Sequence, residues 1–431
     1  MPEPIPVPPR PFLGWPMVGL AFLLYGFGMA PAYYAWGFLA PEIIADIGLT
    51  RAQVGNTFGL FALTFAATSP LAAAAIRRIG LRATVATGAT IGAAGFAWTS
   101  LADDPQELLW AYALTGGVGI GLCTLLPVQT LAVAWFVRQR ARATGVILLG
   151  AGVVGAFVPA AAESLAAAHD WRFVFRVVAA ILWAVGLFCA LLLRDTPADV
   201  GQRPDGDGEM GPSDSAGGLA DRASPRRLSP REWARLTFSR GFLLLTVACL
   251  ANTVPWRVVT AHGRLHLQDL GFAPSAAAAI LGLRVGLSGV GRLAGAAGDV
   301  VDPRHILSAS LVIAGLGMAL FSFSHTPATA YLAIALLGLA YGTGMTSEPV
   351  SVARVFGPAL FLTTNGLRIA ITGIAGWLAP RWVGAAADAT GSYHTSLLAL
   401  SGLCVVGAGA SLLARSGRDA HEVGSVPRKR P

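Results

Sequence analysis

The sequence predicts an all-α membrane protein with twelve transmembrane helices in two pseudo-symmetric six-helix halves. Three observations carry that prediction. Of 431 residues, 54% are hydrophobic and only 13% charged, a mix foreign to soluble domains. The apolar residues gather into twelve segments of about 20 residues or more, the length a bilayer core demands. The second six segments also repeat features of the first at a nearly fixed offset.

In chain order, residues 1–11 are Pro-rich and cannot sustain a helix. No signal-peptide cleavage pattern follows, so the first apolar segment is expected to be retained. The spans are read at 15–40, 53–76, 82–102, 107–136, 143–166, 172–193, 241–263, 274–298, 305–324, 327–352, 360–384 and 394–414. Between the sixth and seventh lies a stretch rich in Gly, Ser, Pro and Asp. It reads as a linker without fixed structure, apart from a surface helix at SPREWARL. The expected organisation is a first bundle over 1–194, a linker over 195–239, a second bundle over 240–416 and a basic tail over 417–431.

Charge sets the expected orientation. Arg77, Arg78 and Arg82 follow the second span, Arg138, Arg140 and Arg142 follow the fourth, and the tail ends in PRKRP. The alternate loops hold Glu42 with Asp46, and Asp103 and Asp104 with Glu107. Basic loops stay inside, so both termini and the linker are expected in the cytoplasm. The formal charge of +8 is explained by these loops and not by nucleic-acid binding.

The repeat is concrete. Pro127-Val128 returns as Pro349-Val350 and Arg82 as Arg304, each 222 positions later. Gly145, Gly152, Gly155 and Pro159 return as Gly366, Gly373, Gly376 and Pro380, each 221 later. Duplicated halves place a substrate site at mid-membrane between them.

Several chemistries are excluded. Cys123, Cys189, Cys249 and Cys404 lie in apolar segments without metal-ligand spacing. Residues 150–155 read GxGxxG, yet no strand precedes them, so they are small residues for close helix packing. No Ser/His/Asp set or carboxylate pair gathers in one place, no phosphate-binding loop is present, and no enzyme activity, metal or cofactor is expected.

The candidate site residues are charges where a bilayer makes them expensive. Arg284, Ser288 and Arg292 follow at i, i+4 and i+8, so they share one stripe of the eighth span. The two arginines attach about 12 Å apart along the axis, with Arg284 nearer mid-membrane. Arg368, with Asn365, falls in the eleventh span. A guanidinium stays protonated and its planar fork matches a carboxylate, so these groups fit a small mono- or dianion. The competing reading ties them to helix-end carbonyls or acids. Glu348, before Pro349, is the carboxylate well inside a span; it is either a proton-coupling group or the counter-ion of an arginine. Arg257 and His262 are read towards the outer end of the seventh span, as gate or interface, with proton relay the alternative for His262. Tyr33, Tyr34 and Trp36 either wall the cavity or pack in a helix interface. Thr124 and Gln129 flank Pro127, and Pro127 and Pro349 each free a carbonyl and mark bending points.

Together with these features, the turn Arg78-Ile79-Gly80-Leu81-Arg82 and its partner from Gly291-Arg292 through Asp299 to Pro303-Arg304 resemble the basic loops of the major facilitator superfamily. The first copy has Arg77 where the family's acid stands. The run Trp135 to Gly145, Trp171-Arg172, Pro204-Asp205-Gly206 and Asp388 to Tyr393 are similar to the bacterial monocarboxylate transporter and oxalate/formate antiporter branch. The resemblance implies alternating access, a gating latch at Arg78, Arg82, Asp299 and Arg304, and substrate binding by Arg292 and by a basic group near Arg368. The expected protein is a secondary transporter of a small mono- or dicarboxylate, by proton symport or anion exchange. It is expected to work as a monomer in a bacterial cytoplasmic membrane. The alternatives are an efflux transporter for neutral or cationic compounds and a transporter-like sensor without flux.

Overall fold

The computed structural model describes residues 12–205, 229–295 and 301–414. In chain order the crossings are α1 (Gly14–Ile47), α2 (51–79), α3 (81–99), α4 (Pro105–Trp135), α5 (Arg140–Ala168) and α6 (Trp171–Leu192), then α7 (Arg240–Asp269), α8 (Pro274–Gly295), α9 (Pro303–Ser322), α10 (Pro327–Gly357), α11 (358–390) and α12 (His394–Leu413). Nine of them qualify as membrane crossings by length and composition alone among the described residues, and the bent Arg51–Ala67 plus Ser69–Thr99 run adds to them. Two glycines complete the twelve. Gly80 (φ 82°, ψ 166°) separates α2 from α3, and Gly357 (φ 72°, ψ 168°) separates α10 from α11. Only glycine enters that region without strain, so each break takes a single residue.

The packing is duplicated. In the first half α1 lies on α5 and α6, α3 on α4 and α6, and α2 on α4; in the second half α7 lies on α11 and α12, α9 on α10 and α12, and α8 on α10. The halves meet along α1 with α7, α2 with α11, and α5 with α8. Spans α4 and α10 form no comparable seam among the described residues. Large apolar side chains such as Leu101, Phe157, Leu191, Trp382 and Val406 are exposed on the outside, as expected where lipid is the solvent.

One end of the bundle gathers the start of α1, the end of α6 and the start of α7; we call it the linker end and the opposite one the distal end. Here the two repeated arginines do matching work. Arg82 donates to the carbonyls of Ala190 and Leu191 at the end of α6. Arg304 donates to the carbonyl of Ala414, just past α12, and to Asp302. Each ties the second turn of its half to that half's last helix, satisfying carbonyls that a helix terminus leaves open. The Arg304 hydrogen bonds hold the Asp302 carboxyl down at about 2.

The early linker is ordered. Asp205 accepts from the backbone N–H of Val137 and Arg138 at 2.9 and 2.6 Å, capping the entry to α5, and Gln202 accepts from Leu13 N–H at 2.9 Å. Residues 195–205 therefore pack with the first half. The surface helix read at SPREWARL is present as Pro230–Thr237, with Ser229 and Glu232 forming a capping box.

Helix α7 extends past the span read from sequence, to Asp269. The polar residues that suggested an earlier stop are satisfied by neighbours. Arg264 donates to Glu42 at 2.5 Å and to the Phe38 carbonyl, and His266 bonds the Phe321 carbonyl. This extension moves the centre of α7 towards Arg257.

Candidate functional site

Side chains from four helices converge between the halves. Tyr33 of α1 lies within electrostatic reach of Arg257 on α7 and Arg284 on α8, and Tyr341 of α10 within reach of Tyr33, Tyr34 and Arg257. Tyr33 and Tyr34 meet edge to face at 5.2 Å. The small residues on α5 and α8 let the walls close in: a Cβ at Gly155 would press on Tyr34 and Val285 at 2.7 and 2.8 Å.

Arg284 is 2% exposed. Its Nη1 donates to the Trp256 carbonyl at 3.3 Å and its Nη2 to Thr260 Oγ1 at 2.8 Å. Its guanidinium sits 4.2 Å over the Trp256 ring, which stacks on Tyr341 at 3.8 Å, a cation–π arrangement. Behind it, a void of about 10 Å³ is lined by Asn252, Trp256, Arg284 and Tyr341, room for roughly one water. Arg284 Nε is buried without a partner. Ser288, one turn on, donates to the Val285 carbonyl.

Arg292 lies nearer the linker end, within electrostatic reach of Tyr25. Its Nη1 donates across the interface to the Leu148 carbonyl of α5 at 2.8 Å, and its Nε has no partner among the described residues. Arg257 packs against α11, where a Cβ on Gly376 would meet its Cδ at 2.7 Å. Its Nη1 is also buried without a partner. Thus Arg257, Arg284 and Arg292 line one interface with no ion-pair partner among the described residues.

Arg368 is differently placed. Its Nη1 meets Glu348 Oε2 at 2.5 Å, and its Nε and Nη2 donate to Asn365 Oδ1 at 3.1 and 2.9 Å. Asn252 of α7 donates to the other Glu348 oxygen at 2.8 Å. The group links α7, α10 and α11, and every carboxylate oxygen in it has a partner.

The remaining candidates are dispersed. Trp36, offered as a cavity wall, turns into the core of the first half: it is fully buried, donates to the Val54 carbonyl at 3.1 Å and stacks on Tyr112 at 4.3 Å. Thr124 is also fully buried, bonded to the Ile120 carbonyl at 2.6 Å and packed against Gly28 of α1. Helix α4 breaks at Thr124 (φ −108°, ψ −96°), three residues before Pro127. Pro349 lies inside α10 beside Glu348 without such a break. His262 sits in the distal seam between the Pro380 carbonyl at 2.8 Å and the Tyr393 hydroxyl at 3.3 Å. Arg78 is exposed at the linker end, and Asp299 lies outside the described residues.

The distal end is sealed by bonds between the halves. Arg51 pairs with Asp269, Asp388 accepts from the N–H groups of Arg51 and Ala52 at 3.1 and 3.0 Å, and Trp377 donates to Asn56 at 3.1 Å. Backbones touch where a Cβ at Gly37 would run into the Thr260 carbonyl.

The model of the Major Facilitator Superfamily matches residues 17–297. The chain belongs to the major facilitator superfamily. It is accordingly a multi-pass membrane transporter and not an enzyme. Among its superfamily relatives, "Monocarboxylate transporter 13" of Rattus norvegicus is 28% identical over 95% of this chain and 89% of its own length. The "Probable sulfoacetate transporter SauU" of Cupriavidus necator is 26% identical over 86% of this chain and 87% of its own. Among solved structures, a bacterial homologue of the human lysosomal transporter Spinster, inward-facing and unoccupied, matches with a TM-score of 0.76 at 18% identity, covering 97% of this chain and 99% of that one. The nucleoside transporter NupG matches at 0.70 and 15%, covering 93% and 98%.

Arg257 lies near the middle of α7 and not towards its outer end as expected from the apolar stretch, because the helix runs on to Asp269. The Trp256–Tyr341 stack and Asn252 join the site without a local signal in the sequence. Asn252 carries no periodic signal, and the stack joins residues 85 positions apart.

Proposed function

We propose that this protein is a secondary transporter of small organic anions that works by alternating access. The observation that carries the reading is the set of three arginines, Arg257, Arg284 and Arg292, facing one interface between the halves without ion-pair partners among the described residues. An uncompensated buried charge costs several kcal/mol and is retained where a ligand neutralises it. Tyr33, Tyr34 and Tyr341 supply rigid walls with hydroxyls around it. The names of the monocarboxylate and sulfoacetate relatives point to the same substrate class.

Anion exchange fits the polar groups better than proton symport. Glu348 is engaged by Arg368 and Asn252, and His262 by the distal seam. Both are therefore engaged by partners other than Arg257, Arg284 and Arg292. In this reading Arg368 and Glu348 lock α10 to α11, while Pro127 and the break at Thr124 let α4 bend. Arg82 and Arg304 keep each half rigid as it rocks.

We further place the linker end, with both termini, in the cytoplasm of a bacterium, since Arg77, Arg78, Arg82, Arg138, Arg142 and Arg304 gather there. On that assignment the sealed distal end and the missing α4–α10 seam correspond to an inward-facing carrier. Arg257, Arg284, Arg292 and the three tyrosines all come from one chain, so a monomer suffices.

The test is counterflow in liposomes carrying the purified protein. Labelled carboxylate is expected to enter vesicles preloaded with unlabelled carboxylate, and not empty vesicles under a pH gradient alone. Uptake driven by the pH gradient without internal anion would replace exchange with symport. Uptake of neutral or cationic compounds with none of any anion would replace the reading itself.

A further inference from the structure

We propose that Arg257 is a second anion-binding group beside Arg284, and that the site is built for a compact dianion with its two charged groups on these adjacent guanidiniums. The proposal rests on the anion-transporter reading above and narrows its substrate class.

Three observations support it. The first is adjacency. Arg284 is fastened to the carbonyl of Trp256 and the hydroxyl of Thr260, so it rests on the very turn of α7 that carries Arg257. Tyr33 lies within electrostatic reach of both. Arg292 attaches eight residues from Arg284, about 12 Å along the helix, too far to share both ends of a small ligand.

The second is unused hydrogen-bonding capacity. Arg284 has spent donors on a carbonyl and a hydroxyl, both neutral, and keeps a buried Nε unpaired. Arg257 keeps a buried Nη1 unpaired and has no hydrogen bond or ion pair among the described residues. Charged donors left dry are costly, and each fork matches one carboxylate or sulfonate.

The third is charge balance. No described carboxylate pairs with either arginine. The acid Glu348 is committed to Arg368. A monocarboxylate would leave one guanidinium uncompensated when the cavity closes. A dianion cancels the pair. The Trp256–Tyr341 stack covers one face of the Arg284 guanidinium, and the missing side chain at Gly376 leaves the space against α11 that Arg257 occupies.

The experiment compares malonate and succinate with acetate and lactate on the full-length protein in detergent and in liposomes. It reads thermal stabilisation and competition for counterflow at a pH where all four acids are fully ionised. Wild type is expected to prefer the dicarboxylates at least tenfold. R257Q is expected to lose that preference, and R257K to retain most of it. Monocarboxylates binding wild type as well as dicarboxylates would overturn the dianion assignment while leaving the anion reading in place. So would an R257Q protein that keeps the tenfold preference. Absence of any anion effect on wild type would overturn both. Because the wild-type comparison decides by itself, misfolding of R257Q does not rescue the proposal.

Discussion

At the scale of single residues, Arg284 separates function from stability. It is buried and bonded only to neutral groups, so the fold carries its desolvation cost without a counter-charge. R284M is expected to raise the melting temperature while lowering anion uptake about a hundredfold, close to 2.7 kcal/mol at about 1.4 kcal/mol per factor of ten. A variant that melts earlier and transports normally would make Arg284 structural. Glu348 should behave in the opposite way. E348Q strands Arg368 and is expected to cost about 3–5 kcal/mol, with E348Q/R368Q recovering most of it in denaturant titrations. An E348Q protein as stable as wild type would show that the pair holds nothing. These two arginines looked alike in the sequence, since both are charges set among apolar residues of a span. What distinguishes them is a partner twenty positions away on another helix, which no local pattern encodes. Trp36 illustrates the same limit. Tyr33, three positions before it, packs on Phe58 and Phe61 of α2 and also lies within electrostatic reach of Arg257 and Arg284. Trp36 spends its indole N–H on the Val54 carbonyl and stacks on Tyr112.

At the scale of elements, the crossings were legible because a bilayer fixes their length, and their ends were not. Helix α7 outruns its apolar stretch because Glu42 and backbone carbonyls receive Arg264 and His266. The turn from α10 to α11 needs only Gly357, where a span-and-loop reading leaves several residues. G357A is expected to destabilise by about 1–3 kcal/mol, since ψ 168° at positive φ is open to glycine alone; a thermal shift within error of zero would contradict this. The loop before α9 carries a pH signature. The folded carboxyl of Asp302 is depressed to about 2, below the unfolded value of about 3.9. Its contribution is therefore present above pH 4 and lost as pH falls towards 2. The stability gap between wild type and D302N should shrink across that window and stay constant above it.

At the scale of the whole molecule, the duplicated architecture was the most legible feature, because the offsets of 222 and 221 residues tie Arg82 to Arg304 and the α5 glycines to those of α11. Which end is shut was not legible, since that depends on bonds between Arg51 and Asp269 or Trp377 and Asn56 across the two halves. A wedge tests it. G37V drives a side chain into the Thr260 carbonyl and is expected to hold the distal seam apart. The four native cysteines are buried, so a cysteine at Tyr33 reports alone. It should react with a membrane-impermeant thiol reagent from the distal side in the G37V background and resist in its absence. Equal labelling in both would mean that Gly37 does not seal that side.

On the proposed reading, the guanidiniums that lack an ion-pair partner among the described residues would also make the empty carrier a voltage sensor. In an inward-facing carrier Arg257, Arg284 and Arg292 would sit at the potential of the solution at the linker end, and reorientation would move them to the other. Each charge carried across 100 mV is worth about 2.3 kcal/mol. With the cytoplasm negative, the return of the unloaded protein to an outward-facing state would be opposed in proportion to all three charges, and a bound dianion would remove most of that load. The resting membrane would thus act as a ratchet against slippage, and depolarising the vesicles should speed the empty step far more than the loaded one.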